Sequence, residues 1–294
     1  MTPSRPIAYS GEPGAFAEDA VLEAFPGAER LAVGGFLEVF EAVTAGRAAA
    51  GVLPIENLLS GSVREVYDLL LEHDLVIVDE VVVPVRLCLA ALPGQPLEAI
   101  DRVYSHPHAL GQAEAFLRSR PWTTLTTYNT AAAGKLIRDT GERGAAAILS
   151  PRAAALFDLA IVADEIQGSA ENRTRFVVIA PQGGDETSRP LAGSASNGGS
   201  GAVRRSGAPR TTLAFGVANE PGTLLAALRV FAERGVNISK LESRPSRTAA
   251  WEYVFWADLD ADATEDRAAA AIEALRGVST MVRVLGSYRR GAAA

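Results

Sequence analysis

The feature that most constrains this chain is a change of pattern near residue 181. From residue 7 to about residue 180, short apolar and β-branched segments alternate with segments of helical spacing. Such alternation predicts parallel sheets covered by helices. Residues 181–210 then contain seven glycines, five serines and three prolines without an aromatic residue. Because this composition cannot bury enough apolar surface to order itself, we expect a flexible linker at 181–210 between two folded regions.

The region after this linker, residues 211–288, has a compact pattern of its own. Strands are expected at 212–218, 236–243, 251–259 and 281–285, and helices at 221–234 and 264–276. The resulting order, βαββαβ, is that of a ferredoxin-like sandwich. Since its sheet and edges would otherwise be exposed, we expect this region to pair with another copy, in a homodimer or a homotetramer.

Composition narrows the class of protein. The 294 residues are 48% hydrophobic and 21% charged, as in ordinary globular proteins. The net charge of −7 argues against a nucleic-acid partner, which requires a basic stripe. No apolar run approaches the ~20 residues of a membrane span. No apolar signal stretch precedes residue 7, so the cytoplasm is the expected location.

Motifs for metals and nucleotides are missing from the sequence. Cys88 is the only cysteine and lies in an apolar run, so we expect a buried residue and no internal disulfide. The sequence has no CxxC or HExxH pattern, no GxGxxG fingerprint and no Walker A loop. We therefore expect chemistry that needs no metal and no cofactor.

Four loops, each between a predicted strand and a predicted helix, are rich in neutral hydrogen-bond donors. They are residues 10–16, 54–63, 104–112 and 128–133. In open α/β sheets, ligands bind beyond the carboxyl ends of the strands, where such loops lie. Glycines in the first loop would let backbone N–H groups approach an anion. Helix capping explains each loop equally well when it is taken alone. Together the four loops predict one cleft for a small anionic ligand.

The segment 172–176, Asn-Arg-Thr-Arg-Phe, places one hydroxyl between two arginines and runs into the apolar strand 176–179. A threonine at a strand entry can face a ligand while the strand behind it stays rigid. The alternative is an edge threonine between solvated arginines. Of the two arginines, Arg173 is expected at the surface.

Four short signatures occur in the order typical of one family. They are Pro-Ile-Glu-Asn at 54–57 with Ser-Gly-Ser-Val at 60–63, Tyr-Ser-His-Pro at 104–107 with Gln112, Thr-Arg-Phe at 174–176, and Glu-Ser-Arg-Pro at 242–245. With these residues the chain resembles the prephenate dehydratases that carry a C-terminal ACT regulatory domain. The resemblance covers nearly the whole chain apart from the linker.

The resemblance implies an α/β fold with a two-lobed, periplasmic-binding-protein-like (type II) catalytic domain and a ferredoxin-like ACT domain. The catalytic domain would occupy residues 1–180 and the ACT domain residues 211–288. One lobe would comprise residues 1–79 with 160–180, and the other residues 80–159.

The implied reaction is the decarboxylating dehydration of prephenate to phenylpyruvate in L-phenylalanine biosynthesis, catalysed by a carbon–oxygen lyase and regulated by L-phenylalanine. Residues 11–14 and 131–133 also resemble arogenate dehydratases, which perform the same elimination on arogenate and give L-phenylalanine. A non-catalytic amino-acid sensor is a further possibility, but a sensor would not need the Thr-Arg-Phe segment.

The resemblance also implies which residues form the sites. Thr174 would assist departure of the hydroxyl, while Asn57 and Gln112 would bind and orient the substrate. Further substrate-binding candidates are Ser62, Ser105, Asn129, Thr130, Arg175 and Phe176. Candidates for binding L-phenylalanine are Gly222, Thr223, Leu224, Glu242, Ser243, Arg244 and Pro245. Glu56 is the nearest alternative acid, and His106 is a weaker candidate for substrate contact.

Overall fold

The structure, a computed structural model, describes residues 5–182, 207–245 and 253–291. The chain forms two compact units. Of the described residues, the first unit contains 5–73 and 81–182, and the second contains 74–80, 207–245 and 253–291. Most of the expected linker, residues 183–206, lies outside the described residues. In the part of the chain that the structure describes, no helix is long and apolar enough to cross a membrane.

The catalytic region expected from the sequence consists of alternating strands and helices. Its strands are β1 (Ile7–Ser10), β2 (Arg30–Val33), β3 (Ala50–Asn57), β4 (Gly61–Ser62), β5 (Leu75–Pro84), β6 (Cys88–Ala91), β7 (Arg102–Ser105), β8 (Thr123–Thr126), β9 (Ala145–Leu149), β10 (Ala160–Ala163) and β11 (Arg173–Pro181). Its helices are α1 (Phe16–Ala24), α2 (Phe36–Thr44), α3 (Arg64–Glu72), α4 (Pro107–Gln112), α5 (Glu114–Arg118), α6 (Thr130–Thr140) and α7 (Pro151–Leu156), with a 3₁₀ turn at Leu97–Ala99.

These strands form two sheets, one for each lobe. The first has the order β2-β1-β3-β11-β5, with β4 paired to β3, and the second has the order β10-β6-β9-β7-β8. Strand β1 is parallel to β2 and β3, and β7 is parallel to β8 and β9. Strand β11 is antiparallel to β3, and β6 is antiparallel to β9 and β10. The sheets are therefore mixed rather than parallel throughout, because the chain leaves the first sheet, builds the second and returns in the opposite direction.

The crossings between the lobes differ from those expected. Strand β10 pairs with β6 in the second sheet, so the chain returns to the first sheet after residue 163 and not at residue 160. Strand β5 likewise continues in the first sheet to residue 84, beyond the expected boundary at 79. The short apolar run of β10 suits either sheet, and its composition does not reveal which strand it pairs with.

The start of α1 packs into the second lobe. Ala15 is buried in a cluster with Cys88, Ala153 and Phe157, and Phe16 packs against a neighbouring cluster around Leu89. Cys88 is buried, as predicted. The loop from β1 to α1 is therefore held between the two sheets before any ligand is considered.

The second unit contains the expected βαββαβ order. Its elements are β12 (Pro209–Gly216), α8 (Thr223–Ala232), β13 (Ile238–Pro245), β14 (Tyr253–Leu259), α9 (Asp266–Arg276) and β15 (Met281–Arg289). The antiparallel sheet has the order β13-β14-β12-β15, and its core includes Phe215, Phe231 and Leu275. This confirms the ferredoxin-like arrangement. The helix α8 begins at Thr223 instead of residue 221, because Gly222 before it has a φ of 89° and ends the turn.

Candidate active site

The side chain of Asn57, the last residue of β3, is held in one orientation. Its Oδ1 accepts hydrogen bonds from the backbone N–H groups of Leu59 at 3.0 Å and Ser60 at 2.9 Å. An asparagine that bonds its own backbone two or three residues ahead forms a local turn of this kind. Since the backbone groups can only donate, the oxygen must face them, and Nδ2 must face away.

The Nδ2 of Asn57 is directed at β11. Asn57 lies opposite Thr174 in the β3–β11 register, and its Nδ2 is 2.9 Å from Thr174 Oγ1. The same Nδ2 donates to the carbonyl of Arg173 at 3.0 Å. Because an amide N–H can only donate, Thr174 Oγ1 is an acceptor in this pair. The Thr174 hydroxyl proton is therefore left to be donated to another group, and the side chain is held for it in a nearly buried position.

A second amide, Asn172, joins this pair to the other lobe. Its Oδ1 accepts from Asn57 Nδ2 at 2.8 Å, and its Nδ2 donates to Gln112 Oε1, at the end of α4, at 2.9 Å. Asn172 was not among the predicted site residues. The strand period of two, which puts residues 172 and 174 on one face, is the signal that could have identified it.

A cavity of about 510 Å³ lies beside these amides. Its walls come from both lobes and consist of Leu59, Ser60, Pro107, His108, Gly111, Gln112, Gly168 and Ser169. The volume is within the range of small-molecule sites. Of the three residues predicted for catalysis, Gln112 lines this cavity, and Asn57 and Thr174 are linked to it by the hydrogen bonds through Asn172.

Arg175, one of the two arginines adjacent to Thr174 in the sequence, is paired with a carboxylate. Its Nε lies 3.6 Å from Glu56 Oε2, and its side chain is 11% exposed. The two residues face each other in the β3–β11 register, and Ser62 faces Glu56 across β3 and β4. Arg173, expected at the surface, is half-buried. An arginine held by a carboxylate can present the rest of its guanidinium in a fixed direction.

Other predicted substrate contacts have structural roles. The Ser105 hydroxyl is fully buried and donates to the carbonyl of Ile148 at 2.6 Å, within the second sheet. Asn129 caps α6, which begins at Thr130, because its Oδ1 accepts a backbone N–H of that helix at 2.8 Å. Phe176 is 2% exposed and belongs to the core. The strand-exit position that suggested a ligand contact for Ser105 also places it beside a neighbouring carbonyl.

His106 also acts as a helix cap. Its Nδ1 accepts from the backbone N–H of His108 at 3.3 Å, and the two rings stack with centroids 5.3 Å apart. Burial and the neighbouring His108 both lower the pKa of His106 below its ordinary value. His106 is therefore neutral near pH 7 and does not supply a positive charge to the cleft.

The first loop, predicted to bind an anionic ligand, instead bonds an anion of the protein itself, the Glu18 carboxylate of α1. The N–H of Gly14 donates to Glu18 Oε2 at 2.8 Å, and Glu18 is 5% exposed. Arg152 of α7 lies 2.8 Å from the same carboxylate, and Arg30 of β2 lies 3.0 Å from it. Gly14 has a φ of 95°, and a Cβ there would lie 3.0 Å from that of Ala153. The loop is closed by packing.

The pKa of Glu18 reflects this enclosure. Burial favours the neutral acid, but the Gly14 N–H and the guanidinium groups of Arg152 and Arg30 outweigh it, so the pKa lies below its ordinary value. The neighbouring Asp19, which also contacts Arg152, has its pKa raised by burial. Glu18 is thus ionised at neutral pH and occupies the donors that the sequence assigned to a ligand.

The cleft can bind and orient an anion through neutral donors. Across residues 5–182, 207–245 and 253–291, no group of three or more His, Cys, Asp or Glu side chains is placed to hold a metal. Gln112 supplies an amide N–H donor and Thr174 a hydroxyl donor, which suit the oxygens of a carboxylate or a leaving hydroxyl.

In the second unit, the candidate effector residues lie at two places. Gly222 precedes α8, and the Thr223 hydroxyl bonds the carbonyls of Ala218 at 2.6 Å and Glu220 at 2.9 Å, which fixes this turn. Leu224 packs against the core of the unit. Residues 242–245 form the end of β13, an edge strand of the described sheet.

Comparisons with known proteins identify the family. The prephenate dehydratase family profile matches residues 7–183, and the ACT domain profile matches residues 211–277. Arogenate dehydratase/prephenate dehydratase 1 of Arabidopsis thaliana, a chloroplastic protein, is 35% identical to this chain over 96% of it and 71% of the relative.

Two solved structures have the same fold with a TM-score of 0.81 each. One is a prephenate dehydratase from Arthrobacter aurescens in complex with L-Phe, 32% identical, covering 97% of this chain and 90% of that chain. The other is GqqA, described as a novel type of quorum quenching acylase, 30% identical, covering 98% of both chains. The two-lobed, type II periplasmic-binding-protein-like fold is therefore confirmed. This chain belongs to the prephenate dehydratase family and carries a C-terminal ACT domain.

Proposed function

We propose that this chain is a prephenate dehydratase, which removes water and carbon dioxide from prephenate and forms phenylpyruvate. The observation that carries the proposal is the hydrogen bond from Asn57 Nδ2 to Thr174 Oγ1 at 2.9 Å, in an amide whose orientation is fixed by two backbone donors. It makes the Thr174 hydroxyl an oriented donor, linked through Asn57 and Asn172 to Gln112 on the cavity wall. Membership of the family supports the same conclusion.

The reaction makes modest demands on the protein. The bond between the ring and its carboxylate breaks and releases carbon dioxide. Its electron pair enters the ring, and the C–O bond of the ring hydroxyl breaks as that group leaves as hydroxide, which takes a proton from solvent and becomes water. Because the ring becomes aromatic, the driving force lies in the substrate. The protein has to hold a dianion and help a hydroxyl depart.

Each cleft residue has a role in this proposal. Thr174 donates a hydrogen bond to the departing oxygen, because a threonine hydroxyl is too weak an acid to transfer its proton outright. Asn57 orients Thr174, and Gln112 binds the substrate from the other lobe. Arg175, fixed by Glu56, holds the carboxylate that the product retains. Neutral donors face the carboxylate that leaves, since a cation there would stabilise the ground state more than the transition state.

Arogenate is the second candidate substrate. It differs from prephenate in carrying an amine in place of the side-chain ketone, and the same elimination yields L-phenylalanine. The Arabidopsis relative is named for both activities, and residues 11–14 and 131–133 resemble arogenate dehydratases. Elimination at the ring is common to both substrates, so the roles of Thr174 and Asn57 do not change.

Acyl transfer, suggested by the name of one structural relative, is less compatible with the cleft. A hydroxyl nucleophile requires a neighbouring base that accepts its proton. Within the described residues, the hydrogen bond at Thr174 Oγ1 comes from the Asn57 amide, which can only donate. Thr174 is therefore set up to donate a hydrogen bond and not to attack.

The test offers prephenate and arogenate in parallel to the purified full-length chain and follows phenylpyruvate and L-phenylalanine. We expect phenylpyruvate from prephenate at the higher kcat/KM. A higher kcat/KM for arogenate would make arogenate the substrate, and the proposed elimination would stay the same. A chain that consumes neither substrate yet binds L-phenylalanine would be an amino-acid sensor, and the proposed function would be abandoned.

We propose further that the second unit binds L-phenylalanine and regulates the enzyme. The structural relative from Arthrobacter aurescens contains L-Phe, and the ACT domain profile matches this unit. By the resemblance to the family, residues 222–224 and 242–245 are the segments that would bind the ligand. Regulation then works by coupling between effector and substrate binding. Adding L-phenylalanine to the assay tests this, and a rate unchanged at every concentration would refute it.

The assembly is also a proposal. Strand β13 is an edge of the described sheet, and its Leu241 is 43% exposed. We propose that two or four copies associate through this edge, which would cover the side of β13 that faces away from β14. In sedimentation analysis, Leu241→Glu should lower the mass towards that of one chain. The control, Leu136→Glu on α6, should not, because Leu136 is also partly exposed but lies in the other unit.

The division of the chain remains proposed as 1–180, 181–210 and 211–288, and the proposed location is the cytoplasm. Limited proteolysis tests the first proposal, since a flexible linker should be cut before the folded regions. Cell fractionation tests the second.

A further inference from the structure

Asn172, immediately before β11, is 1% exposed and uses both ends of its side chain. Its Oδ1 accepts from Asn57 Nδ2 at 2.8 Å, and its Nδ2 donates to Gln112 Oε1 at 2.9 Å. Its own carbonyl accepts the backbone N–H of Val85 at 2.8 Å, which fixes the residue between the two lobes. A buried side chain of this kind cannot touch substrate, yet it contacts two residues that line or support the cleft.

The donor-to-acceptor direction of the hydrogen bonds is set at Asn57, and it then determines the orientations of Asn172 and Gln112. Backbone donors force Asn57 to present its Nδ2 to Asn172, so Asn172 must present Oδ1 there. The Nδ2 of Asn172 then faces Gln112, which must offer Oε1 in return. As a result the Nε2 of Gln112 is directed towards Ser60 Oγ, at 3.4 Å, on the wall of the cavity. Reversing any one amide would bring two donors or two acceptors face to face.

We propose that Asn172 is a positioning residue that orients the Gln112 amide, so that its NH₂ group and not its oxygen faces the anionic substrate. This inference rests on the proposed function. A carbonyl oxygen turned towards a carboxylate would repel it, whereas an N–H donates to it. Asn172 thus transmits the orientation fixed in the Asn57 turn to a binding residue of the opposite lobe.

The variant Asn172→Asp tests this with little change in shape. The aspartate still accepts from Asn57, but its second oxygen now faces Gln112, which must rotate and donate Nε2 to it. The oxygen of Gln112 then faces the cavity. We expect kcat/KM to fall about 10- to 100-fold, the worth of one hydrogen bond to a charged group, mainly through KM.

A double-mutant cycle separates this route from the direct effect of a new negative charge. In a Gln112→Ala background, Asn172→Asp should change kcat/KM less than threefold, because the amide it would rotate is gone. An undiminished loss in that background would overturn the proposal.

A readout without turnover distinguishes a failure of this inference from a failure of the proposed function. The side-chain NH₂ resonances of Gln112, assigned by their loss in Gln112→Ala, should shift in Asn172→Asp protein that retains its wild-type far-UV spectrum. Unshifted resonances would overturn the proposal. If Asn172→Asp fails to fold, the shift of the Asn172 NH₂ signals in Gln112→Ala replaces this measurement, and its absence would have the same meaning.

Discussion

The loop at residues 10–16 and the turn at residues 57–60 make an instructive comparison. They follow β1 and β3, which are parallel neighbours, so both begin at the same end of the first sheet, where the carboxyl ends of these strands lie. In both, backbone N–H groups donate to a side chain of the protein. In the loop, the N–H of Gly14 donates to the Glu18 carboxylate. In the turn, the N–H groups of Leu59 and Ser60 donate to the amide oxygen of Asn57.

The chemical difference between the Glu18 carboxylate and the Asn57 amide determines which of the two segments can contribute to a substrate site. An ionised carboxylate can only accept, so the donors that converge on Glu18 end there. An amide accepts with one end and donates with the other. Asn57 therefore passes hydrogen-bond donation on to Thr174, and through Asn172 to the opposite lobe. A closed ionic cluster holds the lobes, while an open amide network faces the cavity.

The largest effect should come from breaking the open network at Thr174. Thr174→Val keeps the shape but removes the hydroxyl, and loss of one preorganised donor lowers kcat by about 100- to 1000-fold. The measurement is steady-state turnover of prephenate. Thr174→Ser, which retains a hydroxyl, is the matched control and should keep most of the activity. Full turnover in the valine variant would remove Thr174 from the mechanism.

Changes in the buried ionic cluster around Glu18 should alter the stability of the fold and not the catalytic rate. Glu18→Ala would leave Arg30 and the Gly14 N–H facing a cavity without their carboxylate, while Arg152 would keep the Asp19 carboxylate. We expect a loss of about 2–4 kcal/mol in the free energy of unfolding, below the usual range for buried pairs since Arg152 is partly exposed. Denaturant unfolding measures it. Glu23→Ala, at an exposed position on the same helix, should cost less than about 0.5 kcal/mol. Equal losses in the two variants would contradict a special role for Glu18.

The sequence predicted much of this fold and only part of this difference. The apolar periodicity located the strands and helices, and the Thr-Arg-Phe and Pro-Ile-Glu-Asn segments pointed to Thr174 and Asn57. The glycines of the first loop predicted backbone donors for an anionic ligand, whereas the Gly14 N–H bonds the protein's own Glu18 carboxylate. What the sequence could not show is that Glu18, on the next helical turn, is that anion, because its partner Arg152 lies far along the chain.

The same limit applies to Ser105 and Asn172. A serine at a strand exit satisfies a neighbouring carbonyl or a ligand equally well, and the choice depends on which strand lies beside it. Asn172 carries no charge and no reactive group, so its residue type alone does not indicate a site. Its role depends on contacts with residues 57 and 112, which only the folded chain brings together.

The pH dependence of stability should also distinguish the two regions. The pKa of Glu18 is lower in the folded chain than its ordinary value of 4.5, so its stabilising effect is complete above that value and is lost as pH falls through the folded pKa. The difference in unfolding free energy between wild type and Glu18→Gln should be constant above about pH 5 and narrow in more acid solution. Denaturant unfolding at a series of pH values checks this. A difference that grows on acidification would have the wrong sign.

The smallest effect is expected at the exposed end of the first loop. The Tyr128 hydroxyl donates to Glu12 Oε1 at 2.6 Å, and Lys135 lies 3.0 Å from the other oxygen. The Tyr128 hydrogen bond is the main cause of a lowered pKa for Glu12, with Lys135 adding to it against the effect of burial. Tyr128→Phe should therefore raise the Glu12 pKa towards its ordinary value.

The cost in stability should stay below about 1 kcal/mol, because Tyr128 is largely exposed and water can replace its hydroxyl. Carboxyl NMR titration measures the pKa, and Lys135→Met serves as the comparison, with a smaller rise expected. A Glu12 pKa that does not move in Tyr128→Phe would show that the contact is not maintained in solution. The first loop would then be held to the second lobe by the buried Glu18 ion pairs and not by Glu12. The difference between the loop and the turn at residues 57–60 would then depend on Glu18.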